Sequence, residues 1–391
     1  MSLQEKSSSL VKELFREYYS RADLILPSDI EYREFAYQPF GSESYVRHLS
    51  FRSRDEVILY FSEKPPLHLY YSSATYLYPY ADDMEAKGWR GSDLLFDIDA
   101  DHVPECVENR FIKRLRLCPE CGVATEDPDK ECPGCSGETI DIIDPRCIEH
   151  AKQYTIDLVD LLMEDFGISR KSVKIMFSGN RGFHVRVEEE KWRSLGRDER
   201  RIIAEYVSAK GVGGEESSFS SSKEFILPPR ISDYGLRRRI ALRILRRSSS
   251  ELIKRYISSS LEKAREIVSK NYKDLYKEYI NYLGVSPSIP IDEMVTIDIS
   301  RLVRIPNSIN GKSGLLAIEL SLADLESFRV DPEKHSPFRD QVVLVETRYD
   351  IPSINILGIE FRARRNTLYK VPGYIGVFLE LKNLGRIKRI L

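Results

Sequence analysis

The sequence predicts a mixed α/β (α+β) domain carrying two inserts, and three observations lead there. Strand-like and helix-like patterns alternate along most of the 391 residues. Four of the six cysteines crowd into one short stretch, which marks residues 114–138 as a small insert. Residues 236–283 run without a Gly or Pro, which marks 234–288 as a helical insert of one or two helices.

Taken in order, residues 2–20 place Leu10, Val11, Leu14, Phe15 and Tyr18 at helical spacing. The stretches "EVILYF" (56–61) and "LHLYYSSATYLY" (67–78) are rich in aromatic and β-branched residues and read as strands, as does "DLLFDIDA" (93–100). Residues 147–166 repeat apolar positions at three and four and stop before Gly167, a helix that leads into the strand "SVKIMF" (172–177). "FHVRV" (183–187) is a further strand and "DERRIIAEYVSAK" (198–210) a helix. The Gly/Ser-rich "GVGGEESSFSSSKE" (211–224) reads as a mobile loop. Strand patterns return after Ile291 in "LLAIEL" (315–320), "QVVLVE" (341–346) and "YIGVFLEL" (374–381).

With 42% hydrophobic residues the chain can bury a substantial core. Its 59 basic and 61 acidic residues nearly cancel, so no overall positive field draws polyanions to the whole surface and any anion binding is local. The N-terminal "MSLQEKSSSLVKELFREYYS" lacks a basic segment followed by an apolar one, and no apolar run approaches membrane-spanning length. A soluble, intracellular protein with no membrane partner is expected.

The clustered cysteines are Cys118, Cys121, Cys132 and Cys135, with two residues inside each pair and ten between the pairs. Two such knuckles bring four thiolates to one tetrahedral point, the geometry of structural Zn²⁺; two disulfides or four unrelated thiols are the alternative. Four sulfur ligands leave no open position, so this zinc would staple a loop and not catalyse. Cys106 and Cys147 stand outside the pattern and read as small buried residues.

Three further stretches carry chemistry. In "DLLFDIDADH" (93–102) strand alternation puts Asp97 and Asp99 on one face and Phe96 and Ile98 on the other. Two carboxylates side by side suit a hard cation such as Mg²⁺ or Mn²⁺; the polar face of an edge strand would look the same. "KIMFSGNRGFHVRV" (174–187) is strand, tight turn, strand, with Ser178, Arg181 and His184 around glycines that let amides approach an anion. A triphosphate fits that turn; so does an ordinary hairpin. "IPIDEMVTIDISRLVRIPNSINGKSGL" (289–315) supplies Asp292 and Asp298, then Arg301, Arg304 and Lys312, either the far wall of a metal–nucleotide site or a salt-bridged surface. Its "NGKSG" is no phosphate-binding P-loop, because Pro306 stands where the first glycine belongs. A basic run from Arg230 to Arg255 meets only Asp233 and Glu251 locally and reads as a solvated helix face or a template or partner contact.

Together these stretches resemble the catalytic small subunit of archaeal and eukaryotic DNA primase, along almost the full chain. The resemblance rests on "REFAY", "YVRHLSF", "YYSSATYLYP", "KGWRGSDLLFDIDADH", the cysteine knuckles, "SGNRGFH", "RLVRIPNSINGKSGL" and "VPGYIGVFLEL". It implies a primase catalytic core spanning 1–391, built of two mixed-sheet halves, one like an RNA-recognition motif. It implies that Asp97, Asp99 and Asp292 bind catalytic Mg²⁺ or Mn²⁺, Asp298 being passed over. Ser178, Arg181, His184 and Arg304, with Lys312 assisting, would hold the incoming nucleoside triphosphate. Glu34 and Arg47 match family positions near the site. Asn310 departs from the pattern, standing where many members have His, and an amide cannot become a cation.

The implied activity is primer synthesis on single-stranded DNA by two-metal nucleotidyl transfer, in a heterodimer with a large subunit that carries an iron–sulfur cluster. The implied place is the cytoplasm, with the nucleoid, in an archaeon, or the nucleus in a eukaryote. Two rivals are a repair-type polymerase of the same superfamily and a non-catalytic zinc-bearing subunit that only binds nucleic acid. The retained acid cluster speaks against the second.

Overall fold

The computed structural model describes residues 3–126, 137–210 and 227–391. The chain opens with α1 (Leu3–Tyr19), which buries Val11, Leu14, Phe15 and Tyr19 along one face. Then come β1 (Phe35–Pro39), β2 (Val46–Leu49), α2 (Arg54–Glu63), β3 (Pro66–Ser72) and the hairpin of β4 (Ala74–Tyr76) and β5 (Trp89–Ser92). β6 (Leu94–Asp99) leads through α3 (Pro104–Glu108) into a three-stranded arm of β7 (Ile112–Cys118), β8 (Val123–Thr125) and β9 (Thr139–Ile143). The long α4 (Pro145–Glu164) follows, then β10 (Val173–Phe177), β11 (Gly182–Val187), α5 (Glu190–Arg193) and α6 (Arg197–Val207).

Three helices, α7 (Gly235–Arg247), α8 (Glu251–Ile257) and α9 (Leu261–Tyr279), make the helical insert and close around a small core of their own, with Ile244, Ile253 and Ile257 fully buried. The chain returns through α10 (Glu293–Ile297), β12 (Leu302–Arg304), β13 (Ile318–Leu320), α11 (Leu322–Ser327) and α12 (Pro332–His335). It ends in β14 (Val342–Thr347), β15 (Ile351–Ile356), β16 (Ile359–Ala363), β17 (Leu368–Pro372), α13 (Gly373–Leu381) and β18 (Gly385–Ile390).

Two antiparallel four-stranded sheets frame the centre, in the orders β12-β3-β1-β2 and β13-β10-β11-β6. Each has its own core. The first sheet packs with α1, α13 and the β17-β14-β18 sheet around residues such as Phe15, Phe35, Phe61 and Val345; the second packs on α4 and α6 around Phe96, Leu158, Phe177 and Phe183. No helix among the described residues is long and apolar enough to cross a membrane.

Four sequence expectations need correction. "EVILYF" is the body of helix α2: Ser53 caps it by accepting from the Glu56 N–H, and Val57 and Phe61, four apart, are its buried residues. "YIGVFLEL" is helix α13, buried from Gly373 to Leu379 without a polar face, so no periodicity betrays it. "LHLYYSSATYLY" breaks at Ser73 into β3 and β4. The helical insert holds three helices because Ser250 and Ser260 each cap a new one.

Part of the basic run is engaged by the core. Arg238 pairs with Asp160 at 2.6 Å, Arg246 with Asp157 at 2.6 Å and Arg247 with Glu105 at 2.9 Å. Arg239 donates to the Val207 and Pro287 carbonyls at 3.0 and 3.2 Å. These acids and carbonyls come from α3, α4 and the segments flanking the insert, too far along the chain for a local charge count to see. These four arginines fasten the insert to the core, while Arg237 and Lys254 pair inside the run with Asp233 and Glu251.

Cys106 and Cys147 are buried, as expected of small core residues, and are also joined as a disulfide, with Cα atoms 5.3 Å apart. The Gly/Ser-rich 211–224 stretch lies outside the described residues.

Candidate active site

The site forms where the two four-stranded sheets face one another. On β6, Phe96 and Ile98 are fully buried while Asp97 and Asp99 turn the other way, 17% and 21% exposed. Antiparallel pairing sets His184 of β11 opposite Asp97 and Gly182 opposite Asp99. Only glycine fits at 182, since a Cβ there would stand 2.2 Å from the Ile98 carbonyl oxygen. The turn before it is held by the Ser178 hydroxyl, which accepts from the N–H groups of Asn180 and Gly182 at 3.4 and 3.3 Å. That turn aims Arg181 at Asp99 (3.0 Å) and Asp101 (2.9 Å).

Asp292 caps α10 through the Met294 N–H, and its own backbone N–H donates to the Asp97 carbonyl at 2.9 Å. Asp298 sits at the far end of the same helix and accepts from Ser300 N–H and Oγ–H at 2.9 and 2.8 Å. Asp292 thus touches β6 through its backbone and its charge reaches Asp97, but neither Asp292 nor Asp298 is among the residues that line the cleft between the two sheets.

The opposite wall is built on β3 and β12. Arg304 pairs across the ladder with Tyr70, donates from one terminal nitrogen to the Tyr70 hydroxyl at 2.9 Å, and buries the other without a partner. Behind it the 307–314 turn carries Asn310 and Lys312. Buried Asn310 donates through its amide to the Ser178 carbonyl (2.8 Å) and accepts from the Lys312 N–H (3.0 Å). Asn310 is thus an internal brace between the 178–182 and 307–314 turns, with both ends of its amide used by protein.

Electrostatics mark the same place. Burial, then the neighbouring charges of Asp99 and Asp292, push the Asp97 carboxyl well above the ordinary carboxylate range. Burial, aided by Arg304 and Arg301 against the opposing pull of Asp99, lowers His184 to about 4 and keeps its ring neutral at physiological pH. Burial, then Arg304 and Lys312, also depresses His68, whose Nδ1 accepts from the Gly311 N–H at 3.2 Å and so leaves Nε2 as a donor. Asp97 Oδ1, His184 Nδ1 and one Arg304 nitrogen are buried polar atoms with no hydrogen-bond partner, gathered around one space. Orphaned buried polar groups are costly, and three around a single cleft point to a polar ligand.

That cleft, of about 250 Å³, is lined by Asp97, Asp99, Ser178, Arg181, His184, Arg304 and Lys312 together. Gln38, Tyr45, His68, Tyr70 and Asn180 line it too and were not singled out from the sequence. A signal existed for two of them: strand alternation in "LHLYY" buries Leu69 and Tyr71, which sends His68 and Tyr70 to the other face. Glu34 and Arg47 do not line the cleft. Glu34 is fully buried and accepts from Arg47 (2.9 Å) and from Lys87 (2.8 Å), tying β1 to β2 and to the β4–β5 hairpin.

Among the described residues no three His, Cys, Asp or Glu side chains are grouped so as to hold a metal ion. Asp99 instead meets Arg181, and Asp97 stands 3.5 Å from His184. Of the four clustered cysteines, Cys118 and Cys121 form a tight turn: the Cys121 N–H donates to Cys118 Sγ at 3.2 Å and the Gly122 N–H to the Cys118 carbonyl at 2.8 Å, with Gly122 at φ +70°. Cys132 and Cys135 lie outside the described residues.

Comparison with known proteins follows the same lines. Residues 124–322 match the family described as the DNA primase small subunit. The DNA primase small subunit PriS of Saccharolobus solfataricus is 36% identical, covering 99% of this chain and 98% of that protein. The proteins of the same name from Hyperthermus butylicus (37%, covering 97% of each chain) and Sulfurisphaera tokodaii (38%, covering 99% of each) are similar over the same extent.

Proposed function

The chain belongs to the DNA primase small subunit family, and from that premise we propose that it joins nucleoside triphosphates on single-stranded DNA to begin primers for replication. The observation that carries the reading is the composition of the cleft: Asp97 and Asp99 on one wall and, on the other, Arg304 and Lys312, which among the described residues have no carboxylate at ion-pair distance. A triphosphate and a hydroxyl nucleophile need those two kinds of group within one small space.

Divalent magnesium or manganese would suit the side of Asp97, where the charges of Asp99 and Asp292 bear on one carboxyl whose Oδ1 has no hydrogen-bond partner, although the three side chains are not grouped as a metal cage and Asp99 meets Arg181. Asp97, Asp99 and Asp292 would hold it, and it supplies neutralisation of phosphate charge and a more acidic attacking hydroxyl. The chain's own groups do the positioning. Arg304 and Lys312 meet the outer phosphates, Arg181 stands at the border between acids and phosphates, and Ser178 with the neutral His184 offers hydrogen bonds to the rest. The Cys118–Cys121 turn, with its N–H to sulfur bond and left-handed glycine, suits one half of a four-thiolate zinc site completed by Cys132 and Cys135. Zinc there would staple the arm, away from the reacting atoms.

The name of the family speaks for a larger partner subunit, and we propose a heterodimer in which that partner carries the iron–sulfur cluster. The likeness of one half to an RNA-recognition motif draws support from the β6-α4-β10-β11 unit, in which the two outer strands flank β11.

The test incubates the protein with single-stranded DNA, labelled nucleoside triphosphates and Mg²⁺ or Mn²⁺, without primer. Wild type should make new oligonucleotides, and Asp97→Ala with Asp99→Ala should lower the rate at least about a thousandfold while far-ultraviolet circular dichroism stays unchanged. A double variant that retains the wild-type rate would remove these carboxylates from the chemistry. Extension of a supplied primer without any new start would favour the repair-type polymerase.

A further inference from the structure

Residues 359–391 contain eight Lys or Arg (362, 364, 365, 370, 382, 386, 388 and 389) against two Glu (360 and 380). This net +6 belongs to a chain of net −2, so the rest of the molecule is net −8 and the charge is strongly polarised. Register shows where the cations stand. Leu344 of the central strand β14 lies opposite Lys370 of β17 on one side and Arg389 of β18 on the other, and Glu346 lies opposite Arg386. The alternate residues Val343, Val345, Val371 and Ile387 point inward and are buried, so Lys370, Arg386 and Arg389 share the outer face. Lys388 is answered by Glu346 at 2.7 Å; among the described residues Lys370, Arg386, Arg389 and the neighbouring Arg362 and Arg364 have no carboxylate at ion-pair distance.

The sheet is also one helix away from the cleft. α13 packs under β14, where a Cβ on Gly376 would stand 2.2 Å from the Val343 side chain, and against the Lys312 turn, where a Cβ on Gly314 would stand 2.9 Å from Val377. At the end of α13, Lys382 donates to the Asp141 carbonyl at 3.2 Å and lines a small space with Asn180 and Ser313, residues of the two turns that bound the cleft. Burial first, then the nearby Lys312, push this ammonium down to about 8, which sets it electrically beside the proposed phosphate-binding group.

We propose that the outer face of the β17-β14-β18 sheet is a backbone-tracking surface for single-stranded DNA, with Lys370, Arg386 and Arg389 as its phosphate contacts and Lys382 as the link to the cleft. The proposal rests on the primase reading. Its cations form rows instead of isolated spots, and partly exposed Leu344 with exposed Leu368 gives sugars and bases apolar ground between them. Strand sequence would be read little, if at all, by such a face.

Fluorescence anisotropy of a labelled oligothymidylate, titrated with the full chain from low to moderate salt, tests it. Lys370→Ala with Arg386→Ala and Arg389→Ala should weaken binding at least about tenfold and make the dependence of log K on log salt shallower by about 2, from about 0.7 per lost phosphate contact. Restoring charge with Arg386→Lys and Arg389→Lys alone should return the slope, and unfolding temperature should not move in either variant. An unchanged slope in the alanine variant, with wild type making primers, overturns this surface and leaves the function standing. Unchanged DNA binding with loss of association to a larger primase subunit overturns it in favour of a protein face. Normal DNA binding in a wild type that never makes primers sinks the functional reading alone and keeps the surface.

Discussion

Arg243 in the helical insert and Arg304 in the cleft are equally hidden, each 6% exposed, yet their surroundings are opposites. Arg243 donates to the Ser286 and Ser288 carbonyls, faces Asp157 at 3.5 Å and lies over the Tyr154 ring. Arg304 has the Tyr70 hydroxyl and ring, and one nitrogen left with nothing. A buried cation answered on every side is finished and works as a fastener. One that is half answered keeps hydrogen-bonding capacity for something that arrives later. The same contrast runs through the two regions: Arg238, Arg246 and Arg247 of the insert are each met by a carboxylate of the core, whereas in the cleft Arg181 is met by Asp99 and Asp101 but Arg304 and Lys312, among the described residues, by no carboxylate at ion-pair distance.

The sharpest way to break that contrast is through the acids. Asp292→Asn should cost at least about a thousandfold in kcat/KM, on the scale of losing a two-metal ligand, whereas Asp298→Asn, whose carboxylate is already occupied by Ser300, should stay within a few fold. Steady-state kinetics in the reverse order would move the third carboxylate to Asp298.

A crossed pair of arginine variants comes next. Arg304→Leu should lower kcat/KM about a hundredfold with no loss of unfolding free energy. Arg243→Leu should cost about 2 kcal/mol in urea unfolding, because the Ser286 and Ser288 carbonyls lose their donor while Asp157 keeps Arg246, with kcat/KM of the folded protein unchanged. Equal effects of the two on both readouts would erase the distinction drawn here.

The smallest effect concerns pH. His68 is held neutral in the fold while its unfolded form takes a proton near 6.5. Below that pH the unfolded chain binds a proton that the folded one refuses, so stability falls on acidification, by at most about 1.4 kcal/mol per pH unit. His68→Gln should flatten that part of the stability profile relative to wild type between pH 6 and 4, and a profile of unchanged slope would mean that His68 protonates in the folded state.

The stretch from Asp93 to His102 shows how far sequence alone reaches. Alternation reads Asp97 and Asp99 onto one face, and the structure has them there. Nothing local tells that Asp93 is fully buried between Arg33 (3.1 Å) and Arg193 (2.7 Å), or that Asp101 serves Arg181, because those partners come from sixty to a hundred residues away. Hairpin β10–β11 and helix α4 are legible because their polar and apolar residues separate cleanly. Helix α13 is not, since a helix with no exposed face gives the same apolar string as a buried strand. In α2 the cue was present in the Ser53-Arg-Asp-Glu start and was outweighed by aromatic content. His68 and Tyr70 join the site only once β3 is seen to run beside β12.

The bond between Cys106 and Cys147 has a topological consequence. It closes the segment between them, the whole β7-β8-β9 arm, into a covalent ring that the main chain enters and leaves at a single knot point in the core of the second sheet. Opening the arm's sheet therefore cannot let its two ends drift apart, and a single cut of the backbone inside the ring still leaves one molecule. The acid-bearing strand β6 ends seven residues before the closure at Cys106, so the ring is anchored close to the carboxylates whatever its interior does.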